Sequence, residues 1–192
     1  MKKCSKKIIL ASGSPRRREL LAGLDVEFTV DTGNTFEESV PPGSAPEDVP
    51  RLMSIGKSHG FHRPLEPDEL LITSDTVVVV DGRVLGKPHG REEAVQMLQE
   101  LSGREHRVVS AVTFRTLERE KTVTDETIVF VAPLDNEEIA YYIDTYRPFD
   151  KAGAYGIQEW IGYAAIGRIE GSFYNVMGLP VHRVWELLQE FA

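Results

Sequence analysis

A mostly β-branched apolar stretch, Leu70-Leu71-Ile72 and then Val77 to Val80, runs into Asp81-Gly82 with Arg83-Val84-Leu85 behind it. Asp-Gly readily supplies the two positive-φ residues of a type I′ turn, and β-branched side chains suit a pleated, half-buried surface. A hairpin is expected here, and with it a β-sheet core. Val108 to Leu117 and Thr122 to Val131 read as two further strands, and Ile8 to Ala11 as a short buried one. Helical spacing marks Ala94, Met97, Leu98 and Leu101, stopped by Gly103; Ile139, Ile143 and Tyr146, stopped by Pro148; and Val181, Val184, Leu188 and Phe191. Helices and strands mix without a regular βαβ alternation, which predicts a mixed sheet rather than a doubly wound one.

The 192 residues suffice for a real core and are taken as one folding unit, residues 1–192. With 41% hydrophobic and 27% charged residues, the chain belongs with ordinary globular proteins. The basic start Met1-Lys2-Lys3-Cys4-Ser5-Lys6-Lys7 precedes only four apolar residues, too few for a signal peptide. No stretch approaches the roughly 20 apolar residues of a membrane helix, so no membrane association is expected. The single cysteine, Cys4, cannot form an internal disulfide, and a cytoplasmic location fits best. A net charge of -8, from 22 basic and 30 acidic residues, disfavours nucleic acid as a partner. An anionic ligand would have to be held by a local basic cluster.

One such cluster stands out. The strand ending at Ala11 gives way to Ser12-Gly13-Ser14-Pro15, where Ser14 can cap a helix with Pro15 at its first position and Leu20, Leu21 and Leu24 on its apolar face. Arg16, Arg17 and Arg18 then fall in the first turn, where the helix dipole disfavours each cation by about 0.3–1 kcal/mol. An anion bound at that end, gripped by backbone N–H groups and guanidinium forks, resolves the misfit; a solvated basic turn is the other reading. Neither a Walker A spacing nor GxGxxG is present.

Asp75 interrupts the run from Leu70 to Val80, and a buried carboxylate needs compensation. A metal, a cationic side chain, an activated water or the neighbouring Ser and Thr hydroxyls would each supply it. Strict pairing around Asp81-Gly82 sets Lys87 opposite Thr76, so convergence of Lys87 with Asp75 requires a bulge or an early end to the pairing. Asp150-Lys151-Ala152-Gly153-Ala154-Tyr155-Gly156-Ile157-Gln158 is either a plain turn or a place where ligand meets backbone, with the Gln158 amide able to donate and accept at a base edge. Asp31 to Pro50, rich in Gly, Pro, Ser and acidic residues, reads as a long exposed connection. The five histidines form no HExxH pattern, and Cys4 has no triad partners in sequence. Trp160, Tyr163, Phe173 and Tyr174 either stack on a base or pack in the core.

Together, Leu10 to Arg17, Ser74-Asp75-Thr76, Lys87-Pro88, Leu101-Ser102-Gly103, Asp150 to Gln158 and Gly171 to Pro180 resemble the Maf family in order and spacing over nearly the whole chain. The resemblance implies a mixed α/β fold related to the inosine-triphosphatase class: an elongated mixed β-sheet flanked by helices, with a cleft between two lobes. It also implies nucleoside-triphosphate pyrophosphatase activity, cutting between the α- and β-phosphates with a divalent metal, Mg²⁺ or Mn²⁺, and a homodimer.

Matched to the family's positions, Asp75 is the proton acceptor and Glu38 an acidic loop residue that holds the metal with Asp75 or shares its role as base. Ser12, Arg16, Arg17, Lys57 and Lys87 bind phosphates. Ser54-Ile55-Gly56-Lys57-Ser58 departs from the family in lacking the alanine-rich helix usual around that lysine. Arg16, Thr76 and Gln158 look like the subgroup acting on dTTP and UTP. Gly86, where that subgroup often has Glu, leans toward the sister group that prefers 7-methyl-GTP. A nucleotide sensor linked to septum formation is the non-catalytic alternative.

Overall fold

The computed structural model describes residues 4–192; Met1, Lys2 and Lys3 of the basic start lie outside them. The chain forms β1 (Lys7–Leu10), α1 (Pro15–Ala22), β2 (Phe28–Val30), α2 (Val49–His59), β3 (Glu69–Val80), β4 (Arg83–Leu85) and α3 (Arg91–Leu101). It continues with β5 (Glu105–Arg115), β6 (Glu120–Val131), α4 (Asn136–Tyr146), α5 (Trp160–Ala164), β7 (Ile166–Glu170), α6 (Phe173–Met177) and α7 (Val181–Glu190). Short 3₁₀ turns lie at Pro46–Asp48 and Ala152–Ala154.

The seven strands form one sheet in the order β2-β1-β3-β5-β6-β7, with β4 pairing β3. β1 runs parallel to β2 and β3, placing Ile9 opposite Thr29 and Leu71, whereas β3 with β4 and β6 with β7 are antiparallel. The sheet is therefore mixed, as expected. The Asp81-Gly82 turn forms with φ of 48° and 70°, and Val80 faces Arg83 across it. Pairing then stops at Val78 and Leu85, before Thr76 and Lys87 are reached.

The predicted helices are found, with Ala94, Met97, Leu98, Leu101, Ile139, Ile143, Val184 and Leu188 all buried. Three differences from the sequence-based expectation have physical causes. The strands expected from Val108 and Thr122 start earlier, at Glu105 and Glu120, because their charged first residues pair in the sheet while their side chains face water. The connection expected to last to Pro50 turns helical at Pro46, since prolines at the start of a helix forfeit no hydrogen bond. β2 and β7 carry little apolar pattern, being three residues long in one case and mostly exposed in the other.

The chain divides into two compact units: residues through Asp75 with Ser110–Asp125 and Gly178–Ala192, and Thr76–Val109 with Glu126–Met177. Ile9, Phe61, Leu65 and Leu71 form a buried cluster in the first. In that unit Ser54 of α2 and Thr73 of β3, both fully buried, exchange hydrogen bonds: Ser54 Oγ donates to the Thr73 carbonyl at 3.1 Å and Thr73 Oγ1 to the Ser54 carbonyl at 2.7 Å. The second unit packs Val78, Leu98, Val129, Tyr142 and Ile143 around one core.

His106, 2% exposed in the second unit, lies with Nε2 2.6 Å from the Tyr155 hydroxyl, the rings edge to face. Burial pushes its pKa from 6.5 down to about 4. A depressed folded-state pKa contributes stability that is present above the unfolded value and lost as pH falls through the folded one. This residue alone should therefore remove about 3 kcal/mol between pH 6.5 and 4. Urea unfolding at pH 7.5 and 4.5 should show a smaller acid loss for His106→Gln, which keeps a hydrogen-bonding group and cannot titrate.

Candidate active site

β1 ends where the Ala11 N–H donates to the Ile72 carbonyl at 2.9 Å, which delivers the following loop beside β3. Ser12 is buried, and its Oγ accepts from the Ser14 N–H at 3.3 Å. Ser14 caps α1 as the sequence predicted, its Oγ accepting from the Arg17 N–H at 3.4 Å, with Pro15 next and no acidic residue in the first turn.

The three arginines then part company. Arg18 is exposed and Arg16 half-buried. Arg17 turns inward, donating through Nε to the Gly178 carbonyl at 2.9 Å and through Nη1 to the Ser74 carbonyl at 2.8 Å. Burial pushes its pKa down, while Asp75 and Glu38 pull it up and Arg16 adds to the depression. Its fork thus ties the start of α1 to the residue before Asp75.

Across the twelve residues of β3 only Asp75 and Thr76 are not buried. Asp75 finds the cationic partner that the sequence left open: Lys57 Nζ on α2 lies 2.6 Å from its Oδ1. The same ammonium lies 3.0 Å from Glu38 Oε1. Asp75 and Lys57 side chains are 15% and 18% exposed, so their pair is shielded, whereas Glu38 at 62% reaches in from solvent. Three residues far apart in sequence thereby meet at one nitrogen.

Two carboxylates that already share a cation supply hard oxygen donors of the kind Mg²⁺ and Mn²⁺ take, usually one or two from protein and the rest from phosphate and water. Among the described residues no group of three or more His, Cys, Asp or Glu forms a ready-made cage. Asp75 and Glu38 are the residues whose oxygens would suit such a metal.

In the second unit, Thr76 follows Asp75 on β3, and Lys87 is exposed just past β4. The Gly153 N–H donates to the Gly86 carbonyl at 3.0 Å, joining the segment that carries Lys87 to the Asp150–Gln158 loop. That loop is pinned by residues whose roles the sequence hid. Lys151 Nζ lies 2.8 Å from Asp150 and 3.0 Å from Glu159. The Tyr142 hydroxyl donates to Glu159 and accepts from the Gly156 N–H at 2.9 Å. Burial, then Glu159, pushes the Tyr142 pKa up, which keeps it a donor. Gln158 sits between the pinned residues, its Oε1 buried and taking no hydrogen bond from the described residues.

The chain thus combines a mixed α/β fold with a capped basic helix start and a lysine-bound carboxylate pair. The family described as Maf-like protein matches residues 7–191, and the chain belongs to it. A relative from Porphyromonas gingivalis, named dTTP/UTP pyrophosphatase, is 50% identical over 97% of this chain and 94% of its own length. Another of that name, from Bacteroides thetaiotaomicron, is 49% identical over 95% of each chain, and one from Flavobacterium johnsoniae 43% identical over 95% of this chain and 93% of its own. A HAM1 protein from Coxiella burnetii matches in structure with a TM-score of 0.43 at 16% identity, over 67% of this chain and 74% of that one. Among the described residues no helix is long and apolar enough to cross a membrane.

Because the Arg17 fork serves two carbonyls, Arg17→Lys keeps the charge and loses a hydrogen bond to a buried acceptor. Urea unfolding should show a loss of about 1–3 kcal/mol.

Proposed function

We propose that the protein is a nucleoside-triphosphate pyrophosphatase that cleaves dTTP and UTP to the nucleoside monophosphate and pyrophosphate. The observation that carries this reading is the Asp75–Lys57–Glu38 constellation, in a chain whose relatives at 43–50% identity bear that name.

Asp75, anchored on a strand, orients the attacking water and takes its proton. The water oxygen forms a bond to the α-phosphorus, the bond from that phosphorus to the bridging oxygen breaks, and the electron pair leaves on pyrophosphate. Arg16, Lys57 and Lys87 neutralise the phosphate oxygens as charge shifts to the leaving group, and Ser12 with the first turn of α1 contributes hydrogen bonding. Arg17, held by its two carbonyls, keeps the start of α1 in place against Ser74. A divalent cation such as Mg²⁺ or Mn²⁺, held by Asp75 and Glu38, supplies further charge neutralisation when bound. The charges of the first unit favour that addition: Arg16, Arg17 and Lys57 against Asp75 and Glu38 leave one net positive charge, which a triphosphate exceeds.

Gln158 reads the base. Uracil and thymine present an imide N–H flanked by carbonyls, and the buried acceptor Oε1 with its neighbouring NH₂ matches that edge. Thr76 and Arg16 complete the subgroup pattern.

Pyrophosphate release measured over a panel of normal and modified triphosphates should favour dTTP and UTP. Asp75→Asn should lower kcat on the order of 10²–10⁴-fold. A preference for 7-methyl-GTP would overturn the roles of Thr76 and Gln158, and tight dTTP binding without release would favour a sensor.

A further inference from the structure

Glu38 stands on a loop, and an exposed carboxylate on a loop is not held by its ion pair alone, since pairs in water are weak. The loop is nevertheless docked along the last turns of α2. Asp31, where it begins, accepts from the Gly33 N–H at 3.1 Å and lies 3.0 Å from His62 Nε2. Asn34 Nδ2 donates to the Lys57 carbonyl at 2.6 Å, and its Oδ1 accepts from the Phe36 N–H at 2.8 Å. The Thr35 N–H donates to the Gly60 carbonyl at 2.8 Å.

Between these bonds Phe36 lies against α2 where that helix has no side chain. A Cβ built on Gly56 would come within 2.3 Å of the Phe36 ring, and one on Gly60 within 2.6 Å of both Phe36 Cβ and Asn34 Oδ1. Gly56 and Gly60, one helical turn apart, thus leave a notch that the ring and the loop backbone fill. Glu38 follows two residues later, at the ammonium of Lys57, the residue next to Gly56. Glycine inside a helix is costly, and at Gly56 the close approach of Phe36 explains it. At Gly56 the departure from an alanine-rich helix around Lys57 has the same explanation.

We propose that Phe36, seated in the Gly56–Gly60 notch of α2, is a positioning residue that holds Glu38 at the Lys57–Asp75 pair. This rests on the reading of Glu38 as a metal-holding carboxylate. Alanine at Gly56 fills the notch and expels the ring; it also raises helix propensity, so a glycine without this role would give an equally active and no less stable protein.

The test uses the full chain with Gly56→Ala, Phe36→Ala, Glu38→Gln and the double variant Gly56→Ala/Glu38→Gln. Backbone hydrogen exchange of residues 34–40 should accelerate in Gly56→Ala and Phe36→Ala, while the thermal midpoint of Gly56→Ala stays at or above the parent's. Pyrophosphate release from dTTP should fall on the order of 10–100-fold in kcat, the cost of a misplaced group, and the Mg²⁺ or Mn²⁺ concentration giving half-maximal rate should rise. The double variant should be no slower than Glu38→Gln alone. Unchanged exchange in Gly56→Ala overturns the latch, and full additivity of the two substitutions overturns its link to Glu38. Faster exchange together with a fully active Glu38→Gln removes the catalytic purpose of the latch and, with it, the assignment of Glu38, leaving that of Asp75 standing.

Discussion

The Lys57 ammonium is the point on which the first unit turns. A carboxylate in the middle of a largely buried strand needs compensation, and Lys57 supplies it to Asp75 at 2.6 Å. The lysine in turn depends on the seating of its helix. Ser54, one turn earlier on α2, exchanges two hydrogen bonds with Thr73, two residues before Asp75 on β3. Ser54 Oγ also lies 2.9 Å from Thr113 Oγ1, which is 2.9 Å from Thr122 Oγ1. Such a buried hydroxyl chain is stable only when each member is satisfied, so it admits one register of α2 against the sheet. That register fixes how far Lys57 stands from Asp75.

How much of this was legible depends on whether a residue's role is written in its neighbours. The hairpin at Asp81-Gly82 and the helix at Ala94 to Leu101 were, because turn chemistry and period are local properties. Asp75 was legible as a misfit in an apolar run. Its partner was not: α2 contains Ser54, Gly56 and Ser58, which argue against a helix by propensity, and only the family resemblance pointed to Lys57. The three arginines look alike in sequence, yet successive helical positions differ by about 100°, so Arg17 meets Gly178 and Ser74 while Arg18 meets water. Tyr142, Lys151 and Glu159 were hidden for the opposite reason: each looks ordinary alone, and their meaning lies in contacts between separate elements.

Buried polar groups recur wherever the second unit needs its loop held still. Lys151 between Asp150 and Glu159, and the Tyr142 hydroxyl between Glu159 and the Gly156 N–H, constrain the residues on either side of Gln158. A glutamine amide offers both a donor and an acceptor, and the pinned backbone fixes where that amide is carried. Core hydrophobics fix where the loop runs; the tyrosine and the ion pair fix how its backbone faces.

The two carboxylates at Lys57 illustrate a division of labour that follows from where each is mounted. Asp75 sits on a strand paired to its neighbours, is largely shielded, and cannot move without the sheet. That suits a group whose distance to a reacting atom must be constant, since small displacements of such a group are costly in rate. Glu38 sits in solvent on a loop whose hold on α2 consists of a few hydrogen bonds and one aromatic ring in a notch. A group mounted this way depends on the docking of its loop, and Phe36 in the notch is part of that docking. Strand and loop thus mount the two carboxylates differently, and Gly56 and Gly60 leave the space in which the loop's Phe36 is seated.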